Sequence, residues 1–83
     1  MYEILFSKKA EKFLDRLDHK NRERIILAVE KLRIRPEAHI TKLVGINTYK
    51  FRVGEYRLII DLNRKELLIL VIKIGHRKDI YKK

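Results

Sequence analysis

The first residues carry a strand pattern, and a helical pattern follows. Tyr2, Ile4 and Phe6 occupy every second position, which is the period of a β-strand. Ser7 can then cap a helix, because its hydroxyl can accept a hydrogen bond from a free backbone N–H. The apolar residues that follow recur at helical spacing and form one stripe: Ala10, Phe13, Leu14 and Leu17.

A second helix is predicted directly after the first. Asp18 can cap its N-terminus, and Pro36 stops it because proline lacks a backbone N–H. The apolar stripe between these two residues has the same spacing: Ile25, Ala28, Val29 and Leu32. The short break between the two stripes indicates a helical hairpin that lies on a sheet.

After Pro36 the period changes from that of a helix to that of a strand. Residues 39–44 form a weak strand or a loop, whereas 49–53 and 56–62 alternate clearly. Residues 67–74 are nearly all apolar, so we expect that strand to be covered on both faces. The order β-α-α-β-β-β predicts an α+β fold, with an N-terminal helical hairpin packed on a largely antiparallel four-stranded sheet. With 83 residues in all, the chain is expected to form a single domain over residues 1–83.

The charge of the chain points to a polyanionic partner. Lys and Arg number 21 against 11 Asp and Glu, which gives a net charge of +10. Such an excess attracts RNA, DNA and acidic proteins. A thermotolerant surface is the alternative, but its ion-pair networks would balance the two signs.

Several classes of protein are disfavoured. The chain has no cysteine, which excludes disulfides and thiolate metal sites and fits a reducing cytoplasm. Its longest apolar run, residues 67–72, is far short of the ~20 residues that cross a bilayer. The N-terminal residues predict a strand rather than a signal peptide. We therefore expect a cytoplasmic protein that does not enter a membrane.

The hairpin between the second and third strands carries the candidate chemistry. Gly54-Glu55 suits a two-residue turn of type II′, which places Arg52 opposite Arg57 and puts Lys50 on the same face. Like charges directly opposite each other destabilise a sheet, so this cluster suggests a phosphate site. Splayed, solvated side chains are the alternative, and basic residues are common on exposed strands.

The C-terminal segment strengthens the functional interpretation. Gly75 breaks the last strand, and His76, Arg77, Lys78 and Tyr81 follow beside the cationic hairpin. Taken singly, the histidine could be a surface residue and the tyrosine a packing ring. Their clustering with an arginine favours a site.

The runs YKFRVGEYRLIID and VIKIGHRKDIY resemble the RelE/ParE toxin superfamily, and its RelE branch most of all. The opening strand and helical hairpin resemble that family too, so the likeness covers essentially the whole chain. It implies mRNA cleavage in the ribosomal A site and neutralisation by a RelB-like antitoxin. The family's catalytic residues fall here on five positions: Lys50, Arg52, Arg57, Arg77 and Tyr81.

The chemistry of the side chains suggests their roles. Arginine stays protonated, so the three arginines are assigned to phosphate clamping and charge stabilisation. Lys50 is the better base, because neighbouring positive charges disfavour a protonated amine. Tyr81 would stack on a base or donate a proton, and His76 is a spare acid or base. His76 and Lys78 are expected to bind RNA. No cofactor is predicted, and the three histidines are too scattered for a zinc site.

Other functions remain open. A ParE-like inhibitor of DNA gyrase would share the fold and act by binding a protein. A non-catalytic RNA- or ribosome-binding module would use the same basic face and bind with a steep salt dependence. An inactive, degenerate toxin is a further alternative.

Overall fold

A computed structural model of the chain describes residues 1–43 and 48–76. Two helices, α1 (Lys8–Arg16) and α2 (His19–Glu30), follow the first strand. The strands of the sheet are β1 (Glu3–Phe6), β2 (Thr41–Lys42), β3 (Thr48–Val53), β4 (Tyr56–Asn63) and β5 (Leu68–His76). Short 3-10 turns at 31–33 and 36–38 connect α2 to β2.

The five strands form one mixed sheet in the order β1-β5-β4-β3-β2. β1 runs parallel to β5, and every other neighbouring pair is antiparallel. The predicted α+β class with its helical hairpin is confirmed. The predicted count of four strands is one too low, because the weak segment around residue 41 adds a two-residue edge strand to β3.

Both predicted helix caps are present. The Ser7 hydroxyl accepts from the Ala10 N–H at 3.1 Å and donates to the Ile72 carbonyl at 2.6 Å, so it also joins α1 to β5. The Asp18 carboxylate accepts from the Asn21 N–H, and the side-chain hydrogen bond from Asn21 lowers the pKa of Asp18. These caps fix where each helix begins and therefore which face it turns to the sheet.

α2 ends earlier than the sequence predicts. Its α-helical part stops at Glu30, and Leu32 is buried in the 3-10 turn that follows. Pro36 opens the second 3-10 turn rather than ending the helix. A proline tolerates this first position because its missing N–H would have no partner there.

The helices cover one face of the sheet only. The side chains of β3 and β4 that were predicted for the core are all buried, and each is at most 8% exposed: Tyr49, Phe51, Val53, Tyr56, Leu58 and Ile60. Leu62 is buried with them. In β5, Ile69 and Val71 are fully buried, but Leu68 and Leu70 on the opposite face are half-buried. The expectation that β5 is covered on both faces is therefore met only in part, since no helix packs on the second face in the described ranges.

No helix in the described ranges is long and apolar enough to cross a membrane.

Candidate functional site

The site is built on the turn between β3 and β4. Gly54 has φ +58°, and Glu55 has no positive φ, as a type II′ turn requires. The pairing predicted from that turn is confirmed: Val53 lies opposite Tyr56, and Arg52 lies opposite Arg57. Directly paired residues share a face, so the two arginines project from the face that the helices leave open.

We expect the turn to require glycine. A Cβ on Gly54 would lie 2.9 Å from Arg24 Nη2, and an L-residue at this φ is strained. Gly54→Ala should lower the free energy of unfolding by about 1–3 kcal/mol in urea titrations. Gly54→Asn should cost less, because asparagine tolerates positive φ. Equal stability of Gly54→Ala and the wild type would contradict the left-handed turn.

A cationic hollow of about 270 Å³ lies on the open face, and we call it the β3–β4 hollow. Lys50 and Arg57 are half-buried, whereas Arg52 is exposed. Arg57 Nε is closed off from solvent, so this guanidinium is held close to the sheet. The lining consists of His39, Thr41, Lys50, Arg52 and Arg57.

Among residues 1–43 and 48–76, no carboxylate lines the β3–β4 hollow. Asp61 lies on the same face but accepts a 3.4 Å hydrogen bond from Thr48, its partner across the strands. Lys50 and Arg52 form no ion pair with any described carboxylate. Three cations thus converge on one spot whose described lining is free of acids. An arrangement of this kind suits a phosphate, because guanidinium forks match phosphate oxygens.

Sequence reasoning missed two of the lining residues, His39 and Thr41. Thr41 reaches the hollow because β2 pairs it with Lys50, and His39 stands two residues earlier. A two-residue strand has no periodic signal, so its pairing could not be predicted from the sequence. In the described part of the chain, no three histidine or acidic side chains are grouped as a metal ion would require.

The predicted C-terminal residues are only partly described. Arg77, Lys78 and Tyr81 lie outside the described residues. His76 ends β5 opposite Tyr56, with the two ring centroids 5.1 Å apart. Since Tyr56 is a core residue, His76 lies on the helical side and does not line the β3–β4 hollow.

The fold and the hollow define a class of small basic α+β domains with a cationic site on an uncovered sheet. The sequence matches, over residues 4–81, the family described as the ParE toxin of the type II toxin-antitoxin system, parDE. The chain therefore belongs to the RelE/ParE toxin superfamily and is a toxin of a toxin–antitoxin system. No curated protein sequence matches it.

Solved structures of RelE proteins have the same fold. The isolated E. coli RelE toxin is 26% identical, with a TM-score of 0.78 over 98% of this chain and 92% of that one. A chain of the archaeal RelE–RelB complex from Pyrococcus horikoshii OT3 is 27% identical, with a TM-score of 0.81 and coverage of 94% and 97%. A chain of the RelB–RelE complex from Methanococcus jannaschii is 32% identical, with a TM-score of 0.68 and coverage of 93% and 94%.

Proposed function

We propose that the chain is a RelE-type endoribonuclease that cuts mRNA in the ribosomal A site. In this proposal residues 1–83 form a single domain, and the protein acts in the cytoplasm. The observation that carries this proposal is the β3–β4 hollow, where Lys50, Arg52 and Arg57 share one lining that contains no acidic residue from the described ranges. Three cations at one spot suit the phosphate of RNA, because guanidinium forks match phosphate oxygens.

Cleavage in this site requires that the RNA is held in the reactive geometry and that cations stabilise the developing negative charge. The RNA 2′-hydroxyl attacks the adjacent phosphorus in line, a P–O bond forms, and the bond to the 5′-oxygen breaks. Arg52 and Arg57 would clamp the phosphate and stabilise the extra negative charge of the phosphorane. Arg77 is proposed to join them, and His76 and Lys78 to hold neighbouring RNA.

Two protons must move during the reaction. Lys50 would take the proton of the 2′-hydroxyl, since a lysine amine can act as a general base and the guanidinium groups beside it cannot. Tyr81 or His39 would give a proton to the leaving 5′-oxygen, and His39 is the candidate that the hollow adds. An imidazole suits proton transfer because histidine is the side chain whose charge normally changes near neutral pH.

If His39 is the acid, its replacement will slow cleavage without unfolding the chain. His39→Gln should lower the single-turnover rate by about 10²-fold. His19→Gln is the matched control, because His19 is exposed on α2 and its only described ion pair is a 3.6 Å contact with Glu23. Equal rates for the two variants would leave Tyr81 as the proposed acid.

The proposed partners are a RelB-like antitoxin, the ribosome and mRNA. Structural relatives of this chain were solved as RelE–RelB complexes. The strongly basic surface of this chain suits an acidic antitoxin segment that neutralises it and covers the open face of the sheet.

The deciding experiment is primer extension on a translated message with purified protein, with and without ribosomes. We expect new 5′ ends within codons only when ribosomes are present. A ParE-like gyrase inhibitor is the second candidate, because the matching family is described as a ParE toxin. Inhibition of gyrase supercoiling with no cut message would support that alternative and refute cleavage.

A further inference from the structure

A second cationic cavity lies between α1 and the end of β5, and we call it the α1–β5 cleft. Its volume is about 450 Å³. Phe13 and Ile74 form its apolar floor, and four cations surround them: Lys9, Lys12, Arg16 and Lys73. Its α1 residues and Ile74 belong to the helical side of the sheet, because α1 packs there against β5. Lys73 pairs with Ile59 and lies on the edge of β5 that β1 leaves unpaired. The cleft shares no lining residue with the β3–β4 hollow.

The charges of α1 are sorted onto two sides of the helix. The three cations of the cleft recur at i, i+3 and i+7, which places them along one side. Glu11 and Asp15 lie on another side, where they line a groove facing α2. None of the cleft cations forms an ion pair with a described acidic group. Because the acidic residues of α1 lie outside the cleft, they do not neutralise its cations.

The cations of the cleft lie close to one another along the helix. Lys8 with Glu11 and Lys12 with Asp15 are opposite charges at i,i+3, but Lys9 with Lys12 (i,i+3) and Lys12 with Arg16 (i,i+4) join like charges. Like charges at these spacings repel each other. A bound polyanion would compensate for the repulsion among the cations.

We propose that the α1–β5 cleft binds the phosphate backbone of single-stranded RNA, at a position separate from the β3–β4 hollow. The cations of α1 span about 10 Å along the helix axis, so they can follow a backbone. An acidic amphipathic helix fits less well, because it needs a row of apolar contacts and the cleft offers only Phe13 and Ile74. Phe13 is half-buried against Tyr56, and the part of its ring that lines the cleft offers a base a small stacking contact.

The test compares two double variants that remove the same charge. Lys9→Gln/Lys12→Gln alters the cleft, and Lys20→Gln/Lys31→Gln removes two exposed lysines that lie outside α1 and do not line it. Binding of a fluorescent 2′-O-methyl oligouridine is measured by anisotropy over a range of salt concentrations. This probe has no free 2′-hydroxyl, so binding is measured without cleavage.

We expect the cleft variant to bind about tenfold more weakly and to lower the salt slope by about 1.4, since each single-strand phosphate contact contributes about 0.7. The control variant should retain the wild-type slope. Lys73→Gln removes one cation from the β5 wall of the cleft and should lower the slope by about 0.7. Circular dichroism melts of each variant confirm that the chain is folded.

Equal losses in the two double variants would overturn the proposal, because overall charge alone would then explain binding. Unchanged RNA binding together with weaker binding of an oligoglutamate peptide would also overturn it, in favour of an acidic protein partner. The inference does not depend on cleavage. If the wild-type protein leaves mRNA intact, the proposed nuclease activity is refuted. The RNA site is still supported if the salt slope of RNA binding falls only in the cleft variants.

Discussion

Arg57→Ala is expected to lower the rate of mRNA cleavage on ribosomes by about 10²–10³-fold, the usual loss when one charge-stabilising donor is removed. Arg57 is half-buried in β4, opposite Arg52, and its Nε is closed off from solvent. A guanidinium held in this way can contact the phosphorane without reorganising. Arg57→Lys should retain part of the activity, because it keeps the charge and loses the bidentate fork. Single-turnover cleavage of a ribosome-bound message measures both variants.

Arg64→Ala is the matched control. Arg64 follows β4, pairs with Glu37 at 3.1 Å and lies over the Tyr49 ring, away from the β3–β4 hollow. Its loss removes the same charge from the chain, and an exposed ion pair of this kind contributes little to stability. Cleavage by Arg64→Ala should stay within about twofold of the wild type. Full activity of Arg57→Ala on translating ribosomes would remove Arg57 from the mechanism.

The cationic hairpin was predictable from the sequence because one local feature determines its geometry. A two-residue turn that begins with glycine sets the register, and the register decides which residues share a face. Once Gly54-Glu55 was identified as the turn, the pairing of Arg52 with Arg57 followed without knowledge of the rest of the fold. The helix caps at Ser7 and Asp18 were predictable for the same reason, since a cap acts within three residues.

The features that were not predictable depend on contacts between distant parts of the chain. The pairing of β1 with β5 joins residues more than sixty positions apart, and its parallel direction has no local signal. The apolar run in β5 has no alternation, so it could not reveal the bulge that shifts its register beside Ile59 and Ile60. His39 reaches the hollow only because the short β2 pairs with β3.

The two cationic sites have different proposed roles, and the single helical layer explains the difference. No helix from the described ranges covers the open face, so the β3–β4 hollow would be accessible to the phosphate of a bound RNA. α1 flanks the edge of β5 that β1 leaves unpaired, and the α1–β5 cleft lies there. The cations of this cleft would hold the RNA at a second point along the RNA strand. Substitutions in the cleft should therefore weaken RNA binding, whereas substitutions in the hollow should slow the chemical step itself.

Lys50→Met will show whether the proposed base is correct. A general base acts only in its deprotonated form, so we expect the wild-type cleavage rate to rise with pH. Methionine has a similar length and no titratable group. The variant should be about 10²–10⁴-fold slower, and its rate should not rise over the pH range in which the wild-type rate does.

Lys65→Met serves as the control for this substitution, because Lys65 is exposed in the turn after β4 and does not line the hollow. It should keep both the wild-type rate and the rise with pH. If cleavage by Lys50→Met is slow but its rate still rises with pH, Lys50 stabilises charge rather than acting as the base. The base would then have to be another group at the hollow, and His39 is the described lining residue whose imidazole can serve as a general base.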